Sequence, residues 1–196
     1  MTNKNNSIVY VAILALSAAF LLIAVYALGN SKNENSQSAN PYDLVGRPMP
    51  AFSLRDRQGA EYRSEDFKGK NTILFFNEGL MCYPGCWNQI VALAEDQRLK
   101  GESLAVFSIE PDAPEDWTRA IEKMPELGYA AMLFDTDRKI SRKFGMLTLD
   151  SSMHYGSLPG HTYVIIDKEG IVRYVYDDPR MAINNDLLVA ELGKLN

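Results

Sequence analysis

Residues 72–89 read TILFFNEGLMCYPGCWNQ, and the order of chemistry in this stretch decides the architecture. Thr72 to Asn77 is a continuous apolar run. Such a run marks a strand buried on both faces. The next residues, Glu78 to Gln89, hold Gly79, Pro84, Gly85 and both cysteines of the chain, Cys82 and Cys86. A helix is expected from about Pro84 to about Leu99, with Ile90, Leu93, Ala94 and Gln97 at helical spacing and Gly101 as its stop. Strand, cysteine loop and helix in that order place both sulfurs beyond the carboxyl end of a buried strand, where α/β sheets carry their sites.

The pattern continues on either side. Upstream, Ala51–Leu54 and Ala60–Arg63 flank the turn-prone Asp56-Arg-Gln-Gly59 and suggest a hairpin, followed by a short helical turn capped by Ser64 and ended by Gly69. Downstream, Leu104–Ile109 reads as a second buried strand, a helix begins at Pro114, and Ala131–Phe134 is a short third strand. Arg138–Phe144 reads as a short helix with Asp137 at its N-cap. Thr162–Ile166 and Ile171–Tyr176 are joined by Asp167-Lys-Glu-Gly170, a hairpin signal, and Asp186–Leu195 forms a terminal helix. The first part demands parallel strands with helical crossovers, and the closing hairpin adds antiparallel strands to the same sheet.

The whole chain has 196 residues, with 20 Lys+Arg against 25 Asp+Glu and a formal net charge of −5. That balance argues against binding nucleic acid by phosphate neutralisation. Residues Ile8 to Leu28 form a 21-residue uncharged apolar run. As a helix it would span about 30 Å, the thickness of a bilayer's hydrocarbon core. Residues 1–28 are therefore expected to be a retained N-terminal membrane anchor, with a cleaved signal peptide as the alternative. Lys4 and the terminal amine favour the N-terminus in the cytoplasm and the rest of the chain outside it. Residues 29–41 are rich in Asn and Ser and read as a flexible linker, leaving 42–196 as the folded domain.

Cys82 and Cys86 lie four positions apart at the expected start of a helix. Unpaired N–H groups and about half a positive charge there stabilise a thiolate, the reactive form of cysteine. One turn of helix also brings the two into disulfide range. A purely structural bridge is the bland reading, but so short a loop restrains the unfolded chain by less than the roughly 3 kcal/mol of a 15-residue loop. The pair is read as catalytic and redox-active, with no cofactor and no resident metal.

Several motifs beyond the pair resemble a family. Pro48-Met-Pro-Ala-Phe-Ser-Leu54, then Gly59, then Asp66-Phe-Lys-Gly-Lys70, then the buried strand with its cysteine-bearing helix start, is similar to the redoxin branch of the thioredoxin-like superfamily. That branch includes the alkyl hydroperoxide reductase/thiol-specific antioxidant proteins, the peroxiredoxins, and the membrane-tethered thiol–disulfide oxidoreductases. Thr162-Tyr-Val-Ile-Ile-Asp167 followed by Gly170-Ile-Val-Arg173 resembles the family's late strand, turn and strand. The resemblance covers roughly residues 44–196. It implies a thioredoxin-like three-layer α/β/α sandwich with an N-terminal β-hairpin, here preceded by a single transmembrane helix. It also implies thiol-dependent oxidoreductase and antioxidant activity, with a peroxide or a protein disulfide as substrate and a protein thiol or disulfide as electron donor or acceptor.

Which sulfur attacks stays open at this point. Pro84-Gly85-Cys86 resembles the Pro-Gly-Cys of one bacterial peroxiredoxin group and points to Cys86, although Tyr83 stands where such enzymes carry Thr and His161 where they carry Arg. Analogy with the tethered oxidoreductases points to Cys82. His154 and His161 are candidates for a proton shuttle or a metal ligand, against the simpler reading of exposed loop histidines. Glu78 is a candidate acid or base, or else a solvated charge at a strand end. Pro159 is the candidate cis-proline of the fold, and Met81, Met146 and Met153 are candidate soft ligands or core filler. The alternative function is a copper-binding chaperone on the same fold using Cys82, Cys86 and a histidine, since thiolates with imidazole suit Cu(I).

Overall fold

A computed structural model describes residues 40–195. The expected anchor and most of the expected linker lie outside the described residues. Among those described, no helix is long and apolar enough to cross a membrane.

Seven strands form one mixed sheet: β1 (Ser53–Arg55), β2 (Glu61–Arg63), β3 (Asn71–Phe76), β4 (Leu104–Glu110), β5 (Met132–Phe134), β6 (Thr162–Ile166) and β7 (Val172–Asp177), in the order β2-β1-β5-β4-β3-β6-β7. Strand β4 is parallel to both β3 and β5, joined through helices α1 (Gly85–Glu95) and α2 (Trp117–Lys123). The closing hairpin enters the same sheet antiparallel, β6 beside β3 and β7 beside β6. The early hairpin β1–β2 joins the far side through the pair Arg55↔Phe134.

All six residues of β3 are buried, as its unbroken apolar run requires. Strand alternation then divides the core in two. Ile73 and Phe75 face the layer of α1, α2 and α4 (Asn185–Gly193), where Ile90, Leu93, Trp117, Leu188 and Leu192 complete one apolar cluster. Leu74 and Phe76 face Phe52, Phe67, Phe144 and Met146 on the other side, which carries α3 (Lys139–Lys143). The result is the expected layered α/β arrangement around a central sheet.

Element ends depart from expectation where side chains compete with the helix backbone. Helix α1 stops at Glu95 instead of Leu99. Asp96 leaves the helical region with ψ 114° and accepts the Arg98 N–H at 3.0 Å, so residues Gln97–Leu99 form a separate 3₁₀ turn. The segment expected to be helical from Pro114 begins as a 3₁₀ turn, and α2 proper ends at Lys123, ahead of Pro125. Helix α3 is held less by Asp137 than by the buried Asp135, whose carboxylate accepts from Ile140 N, Ser141 N and Ser141 Oγ. Ser64 sits inside its 3₁₀ turn and accepts from Phe52 N, which leaves Asp66 to accept the Arg63 N–H at 2.8 Å.

One buried acid gives the fold a pH signature. Glu110, at the end of β4, is fully buried, with Oε1 accepting from Asn77 Nδ2 at 3.1 Å and no partner at Oε2. Burial, reinforced by the charge of Asp112, pushes its carboxyl up to about 8. The native state therefore holds a proton that the unfolded chain releases near pH 4.3. Native and unfolded chains bind it equally below that value, and the native chain alone retains it up to about 8. This group's contribution to stability is thus complete in acid and is lost as the pH rises toward 8. Glu110→Gln, which keeps the shape without the charge, should remove that loss. Its thermal midpoint should fall less than wild type's between pH 5 and pH 9, and parallel curves for the two proteins would refute the assignment.

Candidate active site

The residues between β3 and α1 are pinned before the cysteines are reached. Asn77 Oδ1 accepts the Gly79 N–H at 2.7 Å, and Asp112 Oδ2 accepts the Leu80 N–H at 2.8 Å. Gly79 has φ +59°, and a Cβ there would stand 1.9 Å from that same Asp112 oxygen, so any side chain would be strained and would push the Asp112 carboxylate off the Leu80 N–H. Glu78 is fully buried, not a solvated charge at a strand end. Its carboxylate accepts from Ser152 Oγ at 3.0 Å and His154 N at 2.9 Å, and its Oε2 lies 3.1 Å from His154 Nδ1. Glu78 thus ties the cysteine loop to the segment that leads into β6, and its bonds are spent on that tie. The ring of His154 remains partly exposed.

Cys82 and Cys86 form a disulfide, with Cα atoms 5.3 Å apart. Cys86 is the second residue of α1, and its N–H donates both to Cys82 O at 2.9 Å and to Cys82 Sγ at 3.3 Å. The helix start therefore aims a backbone N–H, shared with Cys82 O, at the sulfur of Cys82, as the spacing had suggested for one of the pair. Neither sulfur lies open: Cys82 is 2% exposed and Cys86 is sealed at 0%. The neighbours of Cys82 do reach solvent, Met81 at 59% and Tyr83 at 50%. Cys82 is thus the outer sulfur and Cys86 the inner one. The Tyr83 ring packs on Trp87 with centroids 4.9 Å apart and carries Lys123 Nζ 3.6 Å from its centroid. Tyr83–Pro84 is the cis peptide of the described residues; Pro159 is trans and buried. The two isomers of an X-Pro bond differ too little in energy for local sequence to choose between them.

The two candidate histidines separate. His161 is fully buried under the pair, its Nδ1 3.5 Å from Cys86 Sγ. Its Nε2 lies 2.7 Å from Tyr163 Oη and 3.2 Å from Ala182 O. Nε2 thus faces both a hydroxyl that can donate to it and a carbonyl that can only accept, while Nδ1 faces the inner sulfur. Burial pulls the imidazole down to about 4, which keeps it neutral. Its place just ahead of β6 was visible in the sequence, but its burial was not.

Met181 is a site residue that the sequence did not disclose. Its Sδ sits 3.7 Å from Cys82 Sγ, across a sequence separation of 99. It rides on the loop between β7 and α4 with φ +50°, a strained conformation for a residue with a side chain. That loop is fastened to α1 by Gln89, whose Oε1 accepts from Asn184 N at 2.8 Å and whose Nε2 donates to Asn185 Oδ1 at 2.9 Å. Gly85 leaves room for it, since a Cβ there would lie 3.2 Å from Met181 Cβ. Of the methionines singled out earlier, Met81 and Met153 are exposed and Met146 is core. Among the described residues, Cys82, Cys86 and His161 form a cluster able to hold a metal, with donor atoms all within 4.8 Å of one another.

Known proteins share this arrangement of strand, loop and helix. The chain is 30% identical over 153 residues to peroxiredoxin Bcp of Escherichia coli K12, an alignment spanning 74% of this chain and 92% of that one. It is 29% identical over 134 residues to the chloroplastic peroxiredoxin Q of Sedum lineare, covering 68% of each. The crystal structure of Enterococcus faecalis AhpC superimposes with a TM-score of 0.66 at 19% identity, over 77% of this chain and 91% of that one. Residues 45–175 match the AhpC/TSA family, from ahead of the first hairpin to the middle of β7. With its cysteine pair at the expected place on a thioredoxin-like fold, this chain belongs to the AhpC/TSA family and is a peroxiredoxin-like oxidoreductase.

Proposed function

We propose that the chain is a membrane-tethered, extracytoplasmic, thiol-dependent peroxidase that cycles Cys82 and Cys86 between disulfide and dithiol, with Cys82 as the attacking sulfur. The observation that carries this reading is the Cys86 N–H directed at Cys82 Sγ from the start of α1. A hydrogen bond to the charged form favours the thiolate, the nucleophile in both peroxide reduction and disulfide exchange. In the oxidising half, the Cys82 thiolate attacks one peroxide oxygen and the other leaves as alkoxide or hydroxide, which takes up a proton. The Cys82 sulfenic acid then condenses with the Cys86 thiol, releasing water and forming the disulfide. In the reducing half, a donor protein thiolate attacks Cys82, the outer sulfur, and displaces Cys86. A second donor thiol resolves the mixed disulfide and leaves the donor oxidised.

The test is peroxide consumption by the full chain with a dithiol protein donor, run beside reduction of a protein disulfide. Catalysed loss of peroxide supports the reading. Reduction of the protein disulfide alone would replace the peroxidase with a disulfide exchanger. Tethering rests on the apolar run from Ile8 to Leu28. It predicts that protease added to spheroplasts degrades the domain, and a protected domain or a mature protein without residues 1–28 would contradict it.

A further inference from the structure

Met181 has no task in thiol chemistry, yet its thioether is seated against Cys82 on a strained stretch of backbone. Placed with the buried cluster of Cys82, Cys86 and His161, it completes a set of two sulfurs, an imidazole nitrogen and a thioether, all soft or borderline donors. We propose that the dithiol form of this chain binds one Cu(I) ion through Cys82 Sγ, Cys86 Sγ and His161 Nδ1, with the Met181 thioether closing the side next to Cys82.

The donor atoms suit such an ion. With metal–ligand bonds of about 2.0–2.3 Å, a trigonal site holds its ligand atoms about 3.5–4 Å apart. His161 Nδ1 already stands 3.5 Å from Cys86 Sγ, and the thioether 3.7 Å from Cys82 Sγ. Once reduced, the two cysteine sulfurs need only part to non-bonded distance on Cα atoms 5.3 Å apart. The imidazole needs no rearrangement, because Nδ1 already faces the pair and Ala182 O can accept the proton that Nε2 carries in the ligating tautomer.

The class of metal follows from the donors. Zinc prefers four ligands drawn from Cys, His, Asp and Glu. The fourth donor here is a thioether, which selects Cu(I) among ions that accept thiolates. Two thiolates and one Cu(I) leave a single negative charge, placed where the Cys86 N–H and the start of α1 favour it. The step balances. A dithiol reductant gives two electrons and two protons to the disulfide and becomes a disulfide itself. Cu(I) then displaces the two thiol protons to solvent and keeps its oxidation state. Oxidation of the pair removes the thiolates, so the disulfide form releases the ion.

The experiment uses the full chain in non-ionic detergent. The chain is reduced with dithiothreitol, freed of reductant under argon and titrated with Cu(I) against bicinchoninate. One equivalent should transfer to the reduced chain and none to the oxidised chain. Cys82→Ser or Cys86→Ser should weaken binding by more than ~100-fold, and His161→Ala or Met181→Leu by about 10- to 100-fold. Circular dichroism of each variant separates lost ligation from lost folding, and X-ray absorption of the wild-type complex should show sulfur and nitrogen neighbours. Equal affinity in the two redox forms would overturn the proposal, as would full affinity in both His161→Ala and Met181→Leu, or Zn(II) displacing Cu(I) at equimolar concentration. The peroxidase assay is a separate readout: copper binding without turnover would defeat the proposed function and leave this site standing, and turnover without copper binding would do the reverse.

Discussion

Cys82→Ser is expected to abolish thiol-dependent turnover, with a loss on the order of 10³-fold or more, since it removes the nucleophile and leaves only the fully buried Cys86 thiol beside it. Cys86→Ser should behave differently. The outer sulfur still lies at the start of α1, but the N–H that faces it now belongs to a serine. The first attack should survive, and the sulfenic acid or mixed disulfide on Cys82 should accumulate for want of an inner thiol to resolve it. Mass spectrometry after one equivalent of peroxide distinguishes the two variants: Cys86→Ser should gain one oxygen on the peptide carrying Cys82, and Cys82→Ser should remain largely unmodified. The opposite pattern would transfer the attacking role to Cys86, as in the Pro-Gly-Cys arrangement of the peroxiredoxin group that this loop resembles.

Trp117→Ala should produce the largest loss of stability from a single change away from the site. Trp117 is completely buried in the helix-side cluster, with its ring 6.2 Å from that of Trp87. Truncating a buried tryptophan costs about 3–5 kcal/mol, a large share of the 5–15 kcal/mol that holds a typical domain together. Trp117 Nε1 has no hydrogen-bond partner. Trp117→Phe removes that unsatisfied donor and keeps much of the ring, so it should cost clearly less than alanine. Urea titrations with unchanged slopes would measure both. Equal midpoints for Ala and Phe would show that the ring contributes little packing there.

What the sequence disclosed and what it hid divide along physical lines. The unbroken run from Thr72 shows β3 because both faces of that strand are covered, and the Gly- and Cys-bearing stretch after it shows the site because the chain must turn there. The disulfide was legible because its ends lie only four positions apart at the start of a helix, a local geometry. The end of α1 was not, because Asp96 draws on Arg98 and on Asn185, 89 residues away, with Asn185 Nδ2 donating to Asp96 Oδ2 at 3.0 Å. Burial of Glu78 depends on Ser152 and His154, and the neighbourhood of Cys82 depends on Met181; neither contact has a periodicity to reveal it. His161 stood in view ahead of β6, but its burial beside Cys86 comes with contacts to Tyr163 Oη and the Ala182 carbonyl that no residue type announces.

The two cysteines are also the only two in the chain, and four positions separate them. If the nascent chain is exported to an oxidising compartment, as the proposed topology requires, it has a single intramolecular pairing open to it, available as soon as residue 86 is exposed. Met181, which packs against the pair, is synthesised almost a hundred residues later. For that interval the pair is unshielded, and its maturation calls for an oxidant to make the bond but for no isomerase to correct it.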